Sequence, residues 1–316
     1  MSSSGVSGCL AQSRQTDRME EVLSGGVANT GRVSRENGYV LRPSSPYSTS
    51  IHRFLSALRE NGFEGASVPV AIQDDGRERL EFIEGEVPLA PYPAWAQSDA
   101  ALGSMTELMR QFHRASGVFD FDGLAWSDEL ADPEGGPIVC HNDTCLENVV
   151  FRNGVAVGLI DFDFAAPGRP VFDLAQFARM CVPVDDDLSA SRLGWDVPNQ
   201  PERLRRVADI YGLDDGERQD LIQILTDVID HGGVFVRRRV EAGDPNFTQM
   251  WNEIGGMERY DRRRRWWTVH RTAFIDASAS CVVGNGLDSY RMGSERLVPG
   301  LCRPEGGESL AAPPSS

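Results

Sequence analysis

Between Ile138 and Asp163 the chain leaves itself few local folds. Asn153-Gly154 separates two short apolar runs, Val149–Phe151 and Val155–Ile160. Asn-Gly is the strongest short hairpin signal, because both central residues of the favoured turn need positive φ. A turn there pairs Arg152 with Val155 and sets Asn148 opposite Leu159, so Asp161 falls two residues beyond Asn148's partner. Paired strands run about 5 Å apart, so an amide oxygen and a carboxylate are delivered to one place. Hard oxygen donors of this kind suit Mg²⁺, which takes one or two protein carboxylates and fills its shell with phosphate or water. Asp143, five residues before Asn148 in a non-helical loop, is placed to accept a proton from a hydroxyl. The bland alternative, a surface Asp/Asn turn beside an ordinary hairpin, does not explain why acids and amide converge at the hairpin's end.

Composition narrows the partners. The 316 residues carry 31 basic and 47 acidic side chains, a net charge of −16. Phosphate backbones and anionic membranes need basic surface, so nucleic acid and membrane are not expected partners. No apolar run approaches the ~18 residues of a membrane span. All the basic residues are arginine, which excludes lysine nucleophiles, Schiff bases and a P-loop with its usual lysine. The six cysteines, at 9, 140, 145, 181, 281 and 302, include no CxxC pair and suit neither a zinc site nor a disulfide framework. Met1–Gln15 lacks an apolar core for a signal peptide. Free thiols in a reducing cytoplasm are the expectation.

Along the chain, strand-like segments come first and helical ones later, which suggests a two-lobed α+β protein with a cleft between the lobes. Residues 1–20 are expected to be disordered, and 21–86 to form a β-rich lobe. Within that lobe, Arg32–Arg35 and Tyr39–Arg42 flank an Asn37-Gly38 turn. Ser48–Asn61 is expected as a helix capped by Ser48 or Ser50, and Val68–Ile72 and Arg79–Ile83 as strands. Residues 87–284 should form a larger, mainly helical lobe after the Pro-rich boundary at Gly85–Pro93. Its expected helices are Asp99–Ser116, Phe172–Met180, Arg203–Tyr211, Gly216–Asp230 and Thr248–Thr268. Residues 285–316 read as a disordered tail.

The skeleton His141-x-Asp143-x-x-x-x-Asn148, a hairpin, then Asp161-x-Asp163 resembles the catalytic loop and metal-binding motif of the protein-kinase-like fold. It is most similar to the aminoglycoside phosphotransferase family of small-molecule kinases, over about Leu23 to Arg271. The resemblance implies a bilobal kinase-like fold and an ATP- or GTP-dependent phosphotransfer to a hydroxyl of a small molecule. That molecule would be an aminoglycoside-like antibiotic, an amino alcohol or a sugar. Asp143 would be the catalytic base, and Asn148 and Asp161 would hold Mg²⁺. His141, Asp163 and Asp173 would support them.

For the nucleotide, Gly25, Gly26, Asn29, Thr30 and Gly31 form a Gly-rich turn that lets backbone N–H groups approach phosphates. The Asn37-Gly38 turn sets Arg42 opposite Val33, where kinases keep the phosphate-gripping lysine. Arginine binds phosphate in a bidentate way but is bulkier and planar, so the exchange is not neutral. Kinases pair that cation with a Glu on the next helix. Here His52 stands near the expected place and Glu60 lies at the far end, which puts the ion pair in doubt. Phe82, Ile83 and Glu84 look like the hinge whose backbone would bond the adenine edge, with Ile72, Val40, Phe82 and Ile160 around the base. His113 reads as a buried structural residue. Asp185, Asp186 and Asp187, with Glu202 and Asp209, are candidates for binding a cationic acceptor; an acidic run is more often a solvated loop. Arg262–Arg265 reads as a solvated helix face. A monomer or homodimer is expected. The rival reading is a pseudokinase-like protein that binds nucleotide or a small molecule without turnover. A metal-dependent phosphoesterase lacks the ligand set of a two-metal centre.

Overall fold

The computed structural model describes residues 21–23, 29, 31–196 and 199–278. The expected disorder at 1–20 and 285–316 lies outside these residues, as do Gly25, Gly26 and Thr30.

Asn37 and Gly38, with φ of +52° and +82°, join β2 (Ser34–Glu36) to β3 (Tyr39–Pro43) in the expected hairpin. With β1 (Glu21–Val22), β4 (Pro69–Ile72) and β5 (Arg77–Glu81) they form an antiparallel sheet in the order β1-β2-β3-β5-β4. Between β3 and β4 runs helix α1 (Ser48–Glu60). Neither expected serine caps it: the cap position is Tyr47, and Ser48 Oγ instead accepts the Ser45 N–H at 2.9 Å. The α1 stripe of Ile51, Phe54, Leu55 and Leu58 is buried. Phe54 meets the rings of Phe112 and Phe162 edge-on at 6.1 and 6.2 Å, so one fully buried side chain ties the sheet's helix to the helical part of the molecule. Truncating such a phenylalanine to alanine costs about 3–5 kcal/mol.

Helix α2 (Asp99–Ser116) has the expected limits, with Ser98 Oγ accepting the Ala101 N–H at 3.1 Å. Its buried face, including Leu102, Met105, Met109 and Phe112, packs beneath the hairpin of β7 (Val149–Arg152) and β8 (Val155–Leu159), whose Ala156 N–H donates to Ser104 Oγ at 3.0 Å. β6 (Ile138–Cys140) pairs with β9 (Ala166–Gly168), a strand the sequence reading missed. Its Ala-Pro-Gly composition is poor in strand formers, and proline is tolerated because this is an edge position. The β6–β9 pair clamps both ends of the 141–165 segment.

The remainder is helical: α3 (Pro170–Cys181), α4 (Asp187–Arg192), α5 (Gln200–Tyr211), α6 (Asp215–Glu241), α7 (Pro245–Ile254) and α8 (Gly256–Ser278). α6 opens on a capping box of Asp214 and Glu217 and runs eleven residues past the expected end at Asp230. The Gly232-Gly233 pair is no stop signal there. A Cβ on Gly233 would lie 2.6 Å from the Tyr260 ring, so glycine serves helix packing. The single helix expected over Thr248–Thr268 is two helices, broken at Gly255, whose φ of +92° ends α7. Cys140, Cys145 and Cys181 are free thiols, as expected. Among the described residues no helix is long and apolar enough to cross a membrane.

Candidate active site

The loop after β6 is organised by a carboxylate that never meets solvent. Asp173, at the first turn of α3, is fully buried. It accepts the backbone N–H groups of His141 at 2.7 Å and Asn142 at 2.8 Å, and faces His113 Nε2 at 2.9 Å. Burial would raise this carboxyl; the bonds from His113 and the charges around it outweigh that and hold it below the usual range. Asn142 sits at φ +64° and sends its Nδ2 to the Phe164 oxygen at 2.9 Å, tying the loop to the turn beyond β8. His141 Nδ1 accepts the Asp143 N–H at 3.3 Å, which leaves Nε2 to donate to the Ile160 oxygen at 3.0 Å. Burial pushes this imidazole down, so it stays neutral and bridges the two segments.

Asp143 and Asn148 meet as the motif predicts, but the hairpin register differs from the ideal one. Arg152 pairs with Val155 and Phe151 with Ala156, then Val150 pairs with Gly158 and Val149 with Leu159. One extra residue, Val157, bulges from β8 and shifts the partner of Asn148 from Leu159 to Ile160, whose N–H donates to the Asn148 oxygen at 3.0 Å. Asp161 therefore follows directly on Asn148's partner, in the left-handed region at φ +64°. Asn148 spends Nδ2 on Asp143, at 2.8 Å to the backbone oxygen and 3.2 Å to Oδ2. Its Oδ1 is left as the ligating atom. Burial first, and then the neighbouring Asp161 charge, push the Asp143 carboxyl up to about 8.

Across the cleft stands Arg42, buried on β3. Its Nε bonds Glu78 Oε1, Nη1 reaches Asp161 Oδ1 at 2.7 Å, and Nη2 bonds Asp163 Oδ1. Burial opposes its charge, and the three carboxylates more than compensate, so its pKa is raised. The doubted ion pair is present. Its carboxylate comes from β5, where Glu78 lies directly opposite Arg42, and His52 of α1 bonds the second Glu78 oxygen at 2.8 Å. The sequence reading missed Glu78 because strand order, and hence which residue faces Arg42, is not visible in local pattern.

Arg42, Glu78, Asn148 and Asp161 line a cavity of about 310 Å³, together with Val40, Phe82, Ile83 and Ile160. Ile72, expected at the base site, is instead exposed on edge strand β4 and is absent from the lining. Asn29 lines the cavity and donates to Asp163 Oδ2 at 3.3 Å, and Gly31 has φ +70°. The Glu84 side chain pairs with Arg35 and its backbone oxygen accepts Arg152 Nε at 2.7 Å; Arg35 covers the Phe82 ring at 3.8 Å. The Ile83 N–H bonds to no described residue.

The 185–187 run is not a solvated loop. Asp185 is buried and accepts Arg263 Nε at 2.7 Å and Nη2 at 2.5 Å, with Arg259 Nη2 at 3.2 Å. Asp186 caps α4 and pairs with Arg262 Nε at 3.2 Å. Only Asp187 of the three is exposed. Likewise the arginine run is not wholly a solvated face, since Arg263 is buried against Asp185. Glu202 and Asp209 both pair with Arg205 on the surface of α5.

The oxygen-rich donor set of Asn148 Oδ1 and the Asp161 carboxylate fits a hard divalent cation. Asp161 Oδ2 bonds to no described residue, while Oδ1 is held by Arg42. Among the described residues no three His, Cys, Asp or Glu side chains gather as a metal site. An ion here would thus draw on the Asn148 amide and on ligand oxygens as well.

Comparison with known proteins agrees with this geometry. A model of the phosphotransferase enzyme family matches residues 119–218. The chain is 34% identical over 212 residues to the trifolitoxin immunity protein of Rhizobium leguminosarum bv. trifolii, a match covering 65% of this chain and 79% of that protein. Among solved structures, it superposes on a choline/ethanolamine kinase family protein from Mesorhizobium loti with a TM-score of 0.56 at 16% identity, covering 84% of this chain and 94% of the other. It also superposes on the GDP and kanamycin complex of APH(2″)-IIIa, with a TM-score of 0.54 at 15% identity over 79% and 95% of the two chains. The gentamicin complex of APH(2″)-IIa gives 0.52 at 15% identity over 78% and 93%. The structural likenesses establish an α+β bilobal kinase-like fold, and with the sequence matches they place the chain in the phosphotransferase enzyme family.

Proposed function

We propose that this phosphotransferase moves the γ-phosphoryl group of ATP or GTP to a hydroxyl of a small molecule. The observation that carries the reading is that Asn148, Asp161 and Arg42 line the 310 Å³ cavity together, with Asp143 held behind them by the Asn148 amide at 3.2 Å. The apolar lining, with Val40, Phe82 and Ile160, suits a nucleotide base, and the Ile83 N–H, which bonds to no described residue, suits its hydrogen-bonding edge. Arg42 and the turn around Asn29 and Gly31 would cover the phosphates. Asn148 and Asp161 would hold Mg²⁺, which supplies charge neutralisation for the phosphates. Asp143, its backbone fixed by His141, would orient the acceptor hydroxyl and take its proton as the oxygen attacks phosphorus in line. Catalysis of this kind is mostly positioning and charge stabilisation.

One relative is named for immunity to trifolitoxin, and two structural neighbours are complexes with gentamicin or kanamycin. These support a toxin or antibiotic as acceptor, with amino alcohols and sugars as further classes. Of the five acids considered for a cationic acceptor, Asp185 and Asp186 are already neutralised by Arg263, Arg259 and Arg262, and Glu202 and Asp209 pair with Arg205, which leaves Asp187.

The test is γ-phosphate transfer from MgATP and MgGTP to a pooled library of hydroxylated antibiotics, amino alcohols and sugars, with Asp143→Asn as control. Product from wild type and none from the variant supports the reading. The grip of Arg42 on both Asp161 and Asp163 favours one rival, a nucleotide-binding protein without turnover. Nucleotide binding with neither transfer nor slow γ-phosphate loss to water would establish it.

A further inference from the structure

Arg42 is held on three sides, and the three sides are not equivalent. Nη1 and Nη2 bond Asp161 and Asp163, two residues of the turn after β8, and Arg42, Asp161 and Glu78 all line the cavity. Nε, the inner edge, bonds Glu78, its direct partner on the neighbouring strand. The Glu78 side chain is only 1% exposed, and its second oxygen is taken by His52 Nε2 at 2.8 Å. A lysine ends in a point charge that one carboxylate can steer. A guanidinium is planar, and its fork points correctly only if the plane itself is fixed, which requires a grip on the Nε edge. Glu78 supplies that grip from the sheet. A buried carboxylate with one unsatisfied oxygen would turn or draw in water, so the second oxygen also needs a donor. His52 supplies it from α1, the helix that kinases use for the carboxylate itself.

We infer that His52 and Glu78 act together as positioning residues, holding the inner edge of Arg42 so that its outer fork can exchange Asp161 and Asp163 for the phosphates of a bound nucleotide. Neither residue touches the reacting atoms. The inference rests on the nucleotide reading of the cavity. Without the grip of Glu78, Arg42 has only Asp161 and Asp163 left to bind and is drawn fully onto them, where it competes with nucleotide and divalent ion.

The experiment uses the full chain and follows fluorescent ATP and GTP analogues with Mg²⁺ by anisotropy, alongside thermal melting without ligand. Glu78→Gln keeps the shape and removes the charge, and is expected to raise the nucleotide Kd by about tenfold or more. His52→Ala should weaken binding in the same direction, and His52→Gln should restore it, because the glutamine amide can still donate to Glu78. In slow γ-phosphate release to water, KM should rise more than kcat falls. If wild type binds neither nucleotide, the reading of the cavity fails. If wild type binds and both Glu78→Gln and His52→Ala bind equally well while melting lower, the pair merely fastens α1 to the sheet and the inference is overturned. Should Glu78→Gln not fold, the alanine and glutamine variants of His52 decide alone: equal affinity in the two overturns the inference.

Discussion

The Asn148 amide donates to Asp143 twice, to its backbone oxygen at 2.8 Å and to its carboxylate at 3.2 Å. The proposed base and the proposed metal ligand are thus one rigid unit. Asn148→Ala removes the ligating oxygen and one of two donors to the Asp143 backbone oxygen, which keeps the Cys145 N–H at 3.0 Å. Loss of one such hydrogen bond costs about 0.5–1.5 kcal/mol of stability. The Mg²⁺ concentration for half-maximal nucleotide binding should rise by about 10–100-fold. A Mg²⁺ titration of nucleotide binding checks this; an unchanged midpoint would remove Asn148 from the ion's shell.

Asp143 ionises against its surroundings. Burial and then Asp161 push its carboxyl up to about 8, while an unfolded aspartate titrates near ~3.9. A carboxyl raised on folding contributes stability that is complete below pH ~4 and is lost as pH rises toward 8. Asp143→Asn stays neutral throughout. In buffer free of metal and nucleotide, it should melt with wild type near pH 4 and progressively above it up to pH 8, although it cannot serve as a base. A melting difference that does not change with pH would show that Asp143 ionises normally.

How much of this was legible in advance depends on whether the determining contact is local. The two Asn-Gly turns and the limits of α2 could be read because each is set by residues close in sequence. The convergence of Asp143, Asn148 and Asp161 followed from the hairpin, and only its register was off. The Val157 bulge leaves no mark in the alternation of Val155–Leu159. Glu78 could not be found, because its position opposite Arg42 depends on β5 inserting between β3 and β4. The acidic run at 185–187 looked solvated because its counter-charges, Arg259, Arg262 and Arg263, are more than seventy residues away in sequence. The end of α6 lies beyond the expected Asp230, and the partner that calls for glycine at 233, the Tyr260 ring, belongs to another helix.

Asp173 is the buried anchor of the 141–143 loop. Asp173→Asn replaces an acceptor-only group with one that must present two donors to His141, Asn142 and His113. The expected loss is about 1–3 kcal/mol in chemical denaturation at pH 7, because buried N–H donors lose their acceptor. Wild type gains this contribution above the ordinary aspartate range and loses it as pH falls through the depressed folded value, so the two proteins should converge in acid. Equal stability at pH 7 would show that the loop is held by other contacts.

Gly85 lies where the connection after the sheet meets the hairpin. Its φ is +155°, and a Cβ there would stand 2.5 Å from both the Phe151 oxygen and Val150 Cγ1. On either side, Glu86 and Phe151 exchange backbone hydrogen bonds at 2.8 Å, so the backbones cannot part without losing both. Gly85→Ala must therefore shift Ile83–Glu86 away from Val150, and both Ile83 and Val150 line the cavity. The expected result is a loss of about 1–3 kcal/mol, typical of overpacking. It should come with weaker nucleotide binding even where the variant remains folded at the assay temperature. Gly38→Ala is the control: that glycine also has positive φ but has nothing within 4 Å, so its substitution should lower stability through backbone strain and leave nucleotide affinity at the wild-type value. Equal affinity for all three proteins would mean that the 82–86 connection does not shape the site.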